Sequence, residues 1–267
     1  TTAWTSNYSV QSQISGKNSF QESVLTFFEA KSEKRWVSSA TLFTTVSKYY
    51  VSKISNYVLR PGKVIYNGYE VENKTGKEGT NPVFTISYLG TLYWKQSIEI
   101  FLNGFVLARR ELNTREMIIN FIGTGFDSGQ RERLEKYART MDIEIVITDW
   151  MHEREVNKII AASHLMLSVA YNGVKGVIPT KVFNYLAWGK PVLLCPSDHD
   201  ELEETAQQSG LGLIANDQFE CAKKIVEAYH CFHSGKPLVT PNESFISNFS
   251  RKHQTEKLAQ IIGHIIH

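Results

Sequence analysis

Residues 164–195 read HLMLSVAYNGVKGVIPTKVFNYLAWGKPVLLC. The stretch opens on an apolar run of strand length, HLMLSVAY, and passes through a loop, NGVKGVIP. It then enters a helix on which Val182, Phe183, Tyr185, Leu186 and Ala187 give two turns a mostly apolar surface. Gly189-Lys190-Pro191 stops that helix, and Val192-Leu193-Leu194-Cys195 reads as a short buried strand. Strand, helix and strand at this spacing make a βαβ unit, which belongs in a parallel sheet. One lysine, Lys181, stands at the start of the helix, just after Pro179-Thr180. Proline suits a helix N-terminus, and that end carries free N–H groups and partial positive charge, so an anion is welcome there. Read alone, Lys181 is equally a solvated lysine on an ordinary helix.

Working outward, the same alternation runs from Val83 onward. VFTISYLG, EMIINFIGTG and IEIVITDW read as strands, each followed by a helical pattern: SIEIFLNGFVLARREL, GQRERLEKYARTM and EREVNKIIAAS. Beyond Cys195 come the helix DELEETAQQSG, the strand LGLIAN and the helix FECAKKIVEAYHCF. Strands separated by amphipathic helices predict an α/β fold with a doubly wound, Rossmann-like parallel sheet and ligands at the carboxyl ends of its strands.

The first eighty residues differ. They hold a helical stretch, ESVLTFFEAKSEKRWVSSA, then LFTTV, the helical SKYYVSKISNYVL, and VIYNGYE. The polar VENKTGKEGTNP follows and has the composition of a linker. So little βα material makes no full sheet, and it reads as the tail of a domain whose beginning is missing. The expected division is 1–80 for that tail and linker, 81–235 for the Rossmann-like domain, and 236–267 for a loop and a last amphipathic helix.

The 267 residues carry 29 Lys and Arg against 27 Asp and Glu, a formal charge of +2, too small to point to nucleic acid. Three cysteines without CxxC spacing indicate neither a disulfide framework nor a zinc site, and a reducing compartment fits best. No apolar run approaches the roughly 20 residues of a membrane span.

Three strand-end loops are candidates for chemistry. In GTLYWKQS, a glycine turn at Gly90 delivers Lys95 near a helix start, which suits a phosphate; a solvated loop lysine explains it as well. GTGFDSG fails the dinucleotide fingerprint, because Ser128 stands where the third glycine is needed. In TDWMHERE, Val156 excludes a zincin HExxH. A planar base could rest against Trp150, Met151 and His152, though Glu153 and Glu155 are explained by helix capping alone. No metal cluster and no GxSxG appears, so the chemistry that fits is stabilisation of a departing anion by cations and N–H donors.

In order and spacing, FTTVSKYYVSKI, VIYNGYE, ISYLGTLYWKQSIEIFLNG, INFIGTG, GVIPTKVFNYLAWGKPVL and SGLGLIAND resemble the family 4 glycosyltransferases of the GT-B fold, over roughly Phe43 to Asp217. The resemblance implies the donor-binding C-terminal half of such an enzyme, with the N-terminal acceptor domain largely missing and the fragment inactive by itself. It implies transfer of a sugar, with retention, from a nucleotide-diphosphate donor to a sugar or lipid-linked acceptor in polysaccharide or glycoconjugate biosynthesis. It implies no metal, and a cytoplasmic setting with peripheral attachment to the inner face of a membrane through the missing half. Residue by residue, Lys181 and Lys95 fall on the diphosphate ligands, with Gly90, Thr91, Gly176, Pro179, Thr180 and Val182 around the donor. Trp150, Met151 and His152 fall near the base.

Two departures stand out. Thr91 replaces an arginine often found after that glycine, and the two acids of the Glu-x7-Glu pattern fall on Gly176 and Asn184. Some relatives also lack the first acid, so Asn184 is the more serious change. A neutral acceptor for a ribose hydroxyl in place of a charged one costs about tenfold in affinity. The alternatives are a non-catalytic nucleotide-sugar-binding module, or a GT-B sugar-nucleotide epimerase, whose acid–base carboxylates and histidines are not found.

Overall fold

Period-2 alternation decides which face of the sheet each strand residue serves. On the strand following Val83, Phe84, Ile86 and Tyr88 enter one apolar cluster, while Leu89 enters the cluster on the opposite face. The same split recurs at Leu165 and Leu167 against Met166, and at Leu193 against Val192 and Leu194.

The computed structural model describes residues 31–32, 34–70 and 81–266. The linker segment and most of the first predicted helix lie outside the described residues. Among the described residues, β1 (Phe43–Thr45), α1 (Lys48–Val58) and β2 (Gly62–Val64) form a parallel pair joined by its crossover helix. The main body follows as β3 (Phe84–Leu89), α2 (Ile98–Leu112), β4 (Met117–Ile122), α3 (Ser128–Met141), β5 (Ile145–Ile147), α4 (Glu153–Ala162) and β6 (Leu165–Ser168). It continues through α5 (Thr180–Ala187), β7 (Val192–Leu194), α6 (Glu201–Gln208), β8 (Gly212–Ile214) and α7 (Gln218–Ser234). Helices α8 (Glu243–Ser247) and α9 (Arg251–Ile266) complete it.

The six main strands are all parallel, in the order β5-β4-β3-β6-β7-β8. Asp127 caps α3 and Asp217 caps α7 through side-chain oxygens that accept N–H bonds of the first turn. On α2, Gly104 lets α7 approach closely: a Cβ there would stand 2.7 Å from the Cβ and Sγ of Cys221.

The first segment docks on the main body through a buried carboxylate. Glu201, at the start of α6, is 4% exposed and accepts hydrogen bonds from the Lys48 N–H at 2.8 Å and the Tyr66 hydroxyl at 2.7 Å. Helix α9 adds Gln254, whose Oε1 accepts the Tyr66 N–H at 2.8 Å, and the Tyr69 carbonyl accepts the Arg251 N–H at 2.9 Å. Among the described residues, no helix is long and apolar enough to cross a membrane.

Candidate functional site

From β3 the chain winds outward through β4 to β5, then returns to β6 on the other side of β3 and winds outward again. In a sheet of this topology the ligand crevice lies at the carboxyl ends of the strands where the winding reverses. Gly90, immediately after β3, and the start of α5, which follows β6, flank that point. Gly90 and Gly123 both adopt positive φ, at 81° and 76°, and pack so closely that a Cβ on Gly123 would lie 3.7 Å from the Gly90 Cα. Thr124 Oγ1 donates to the Gly90 carbonyl at 2.8 Å and ties the two loops together.

Lys181 enters this crevice from the first turn of α5. A Cβ on Gly90 would stand 3.9 Å from its Nζ. The stem of Lys181 is partly exposed, but its Nζ is buried and has no hydrogen-bond partner. The Nζ rests 3.6 Å from the centroid of the Tyr88 ring. Burial holds the ammonium well below the ordinary lysine range. Helix α5 has no side-chain N-cap; Pro179 occupies the cap position and its carbonyl accepts the Val182 N–H at 2.9 Å. That leaves the N–H groups of Thr180 and Lys181 as the leading donors. Helix α5 is held to the sheet by buried Val182, Phe183 and Leu186, and by the Tyr185 hydroxyl, which accepts the Leu89 N–H at 3.1 Å.

Lys95 lies on the loop after β3, half-buried, and its carbonyl accepts the Asn172 N–H at 2.8 Å. The next residue, Gln96, is fully buried and donates through Nε2 to the Val169 carbonyl at 2.6 Å. Its Oε1 accepts from the Tyr93 N–H at 3.0 Å and from the Tyr88 hydroxyl at 3.2 Å, while the same hydroxyl meets the Thr91 carbonyl at 2.8 Å. Gln96 and Tyr88 therefore fix the loop that carries Gly90, Thr91 and Lys95. Sequence reading passes over both, because a tyrosine in a strand pattern reads as core and a glutamine before a helix reads as loop.

The other predicted residues spread around this centre. Trp150 is 78% exposed, and the Met151 Sδ accepts from Thr148 Oγ1, which itself accepts the Gly123 N–H at 3.2 Å. The His152 Nδ1 accepts the Arg154 N–H at 3.3 Å and caps α4. Asn184 is exposed on α5. Gly176 is buried with φ of 72°; its N–H donates to Asp200 Oδ2 at 2.7 Å, and a Cβ would lie 2.7 Å from the Tyr49 Cβ. A hollow of about 330 Å³ opens beside the ends of β6 and β7, lined by Tyr171, Asn172, Lys175, Asp198 and His199 among others; Lys181 does not line it. Among the described residues, no group of three or more His, Cys, Asp or Glu side chains is placed to hold a metal ion.

Residues 83–231 match a protein family described as glycosyl transferases group 1. No curated protein matches the chain in sequence. Among solved structures, a glycosyltransferase from Rickettsia africae superposes with a TM-score of 0.71 at 15% identity, over 88% of this chain and 67% of that one. The Anabaena protein HepE in complex with UDP-glucose gives 0.67 at 13% identity, over 89% and 68%. The pneumococcal O-GlcNAc transferase GtfA, in complex with UDP and GlcNAc, gives 0.66 at 15% identity over 90% of this chain, which spans only 48% of its length.

Proposed function

Because the chain belongs to the group 1 glycosyl transferases and folds as a Rossmann-like half of the GT-B architecture, we propose that the crevice at the β3–β6 junction holds the diphosphate of a nucleotide-sugar donor. The observation that carries this reading is the buried Lys181 Nζ without an acceptor. A buried ammonium lacking hydrogen-bond partners is costly, and phosphate oxygens are the partners that relieve the cost. The N–H groups that begin α5 aim at the same anion, and Lys95 approaches from the loop after β3.

On this reading the base lies against Trp150, Met151 and His152, and the ribose lies near Asn184. As the bond from the anomeric carbon to the donor oxygen breaks, negative charge grows on the departing diphosphate, where Lys181 and Lys95 stabilise it. The sugar passes, with retention, to an acceptor hydroxyl outside the described site. UDP is the first nucleotide to test, since two of the structural relatives carry it.

Calorimetric titration with UDP, GDP and ADP is the test. One nucleotide is expected to bind, and Lys181→Ala to weaken it about 10- to 100-fold, the worth of a charged hydrogen bond. If no nucleotide binds at millimolar concentration, or if the alanine variant binds as well as the parent, the reading is wrong.

A nucleotide-sugar-binding module without turnover is favoured by one observation. At Gly176 the turn is closed by Tyr49, and Asn184 offers no charge, so neither acid of the Glu-x7-Glu pattern is present. Turnover of a labelled donor by the full-length protein separates the two.

A further inference from the structure

The Lys181 amine lies on a particular surface, the ring of Tyr88. Tyr88 is fully buried, its hydroxyl is anchored to the Thr91 carbonyl and Gln96, and its ring face lies 3.6 Å beneath the Lys181 Nζ. The face of an aromatic ring attracts an ammonium but replaces only part of the hydration lost on burial. The titratable groups that bear on Tyr88 are the phenols of Tyr171, Tyr185 and Tyr93. Tyr185 on α5, and Tyr171 on the loop after β6 beside Tyr88, are both pushed up by burial, as is Tyr88 itself. Burial lowers the hold of the Lys181 amine on its proton.

We propose that Tyr88 is the positioning residue of the diphosphate site, its ring seating Lys181 for the donor, and that donor binding draws a proton from solvent onto Lys181. The inference rests on the diphosphate reading above. Before the anion arrives, the ring holds the amine in place and leaves its proton weakly bound. Phosphate oxygens then supply the missing acceptors, the amine takes up a proton from the buffer, and the ammonium–phosphate pair closes.

The test is calorimetry of UDP binding at pH 8.5, where UDP is itself fully ionised, in two buffers of different ionisation heat. The native chain is expected to take up a measurable fraction of a proton on binding. Lys181→Arg, which keeps a permanent cation, should bind UDP with no uptake. Tyr88→Phe keeps the ring and should keep the uptake. Tyr88→Leu removes the ring, and the alkaline limb of UDP affinity should move to lower pH, about a tenfold loss at pH 8.5. Should the leucine variant fail to fold, NMR of lysine-labelled native protein replaces it. The Lys181 ε-methylene is expected upfield from the Tyr88 ring current and titrating below ordinary lysines. UDP binding without proton uptake, or a Lys181 signal with no ring-current shift, overturns the inference and leaves the diphosphate reading standing. Failure of UDP, GDP and ADP all to bind removes both.

Discussion

At His164 the imidazole stacks on Phe84, with ring centroids 5.6 Å apart, and meets Phe232 edge-on at 4.3 Å. Its Nδ1 accepts the Thr85 N–H at 3.1 Å, which fixes the ring as the neutral tautomer protonated at Nε2. Burial, helped by the Lys190 charge, pulls its pKa down to about 4. The unfolded chain then binds a proton at higher pH than the folded one, so this contribution is intact above the unfolded value near 6.5 and is lost as pH falls toward 4. Solvent screening included, the loss should be about 1–3 kcal/mol. Urea unfolding at several pH values should show it in the native chain and a flatter profile in His164→Leu. Residue-scale chemistry is unevenly legible in the sequence. Lys181 is visible because Pro179, Thr180 and an apolar helix frame it. The depressed histidine is not, because only the folded chain brings Phe84 and Phe232 to it.

Among the elements, alternation from Val83 predicts all six strands of the main sheet and the helices between them, and only their lengths differ. The IEIVITDW run pairs only over β5, Ile145–Ile147, at the sheet edge. What local pattern cannot separate is one first-turn acid from another. Glu153 and Glu201 both open a helix, yet Glu153 is exposed and Glu201 is buried against α1. The Glu201 carboxylate holds the first N–H of α1 and the Tyr66 hydroxyl, a phenol that burial, joined by the Glu201 charge, keeps well above its usual range. Replacing Glu201 by Ala should cost about 1.5–3 kcal/mol, the range for hydrogen bonds to a charged group. Hydrogen exchange should place the loss of protection in α1, with the β3–β6 core unchanged.

For the whole molecule, the strand order puts the reversal of winding between β3 and β6, so the fold itself brings the Gly90 turn and the Lys181 helix together from distant parts of the chain. Sequence alternation predicts a parallel sheet but carries no strand order, which comes from the crossovers. Two segments far apart in sequence are joined in the fold. Segment 62–70 leans on α9 through Gln254 and Arg251. A chain ending at Ser250 should therefore lose exchange protection at residues 62–70 and retain it in β3–β8.

Gly176 and Tyr49 carry a consequence for how such a site changes over time. One belongs to the loop after β6 and the other to α1, and the phenol fills the place any side chain on the glycine would take. A codon change that places an acid at 176 meets both a left-handed backbone and an occupied volume. The two positions are thus epistatically locked. Because the nearest obstacle is the Tyr49 Cβ, a side chain at 176 needs the α1 backbone to shift, so the docked segment governs this loop as much as the site does.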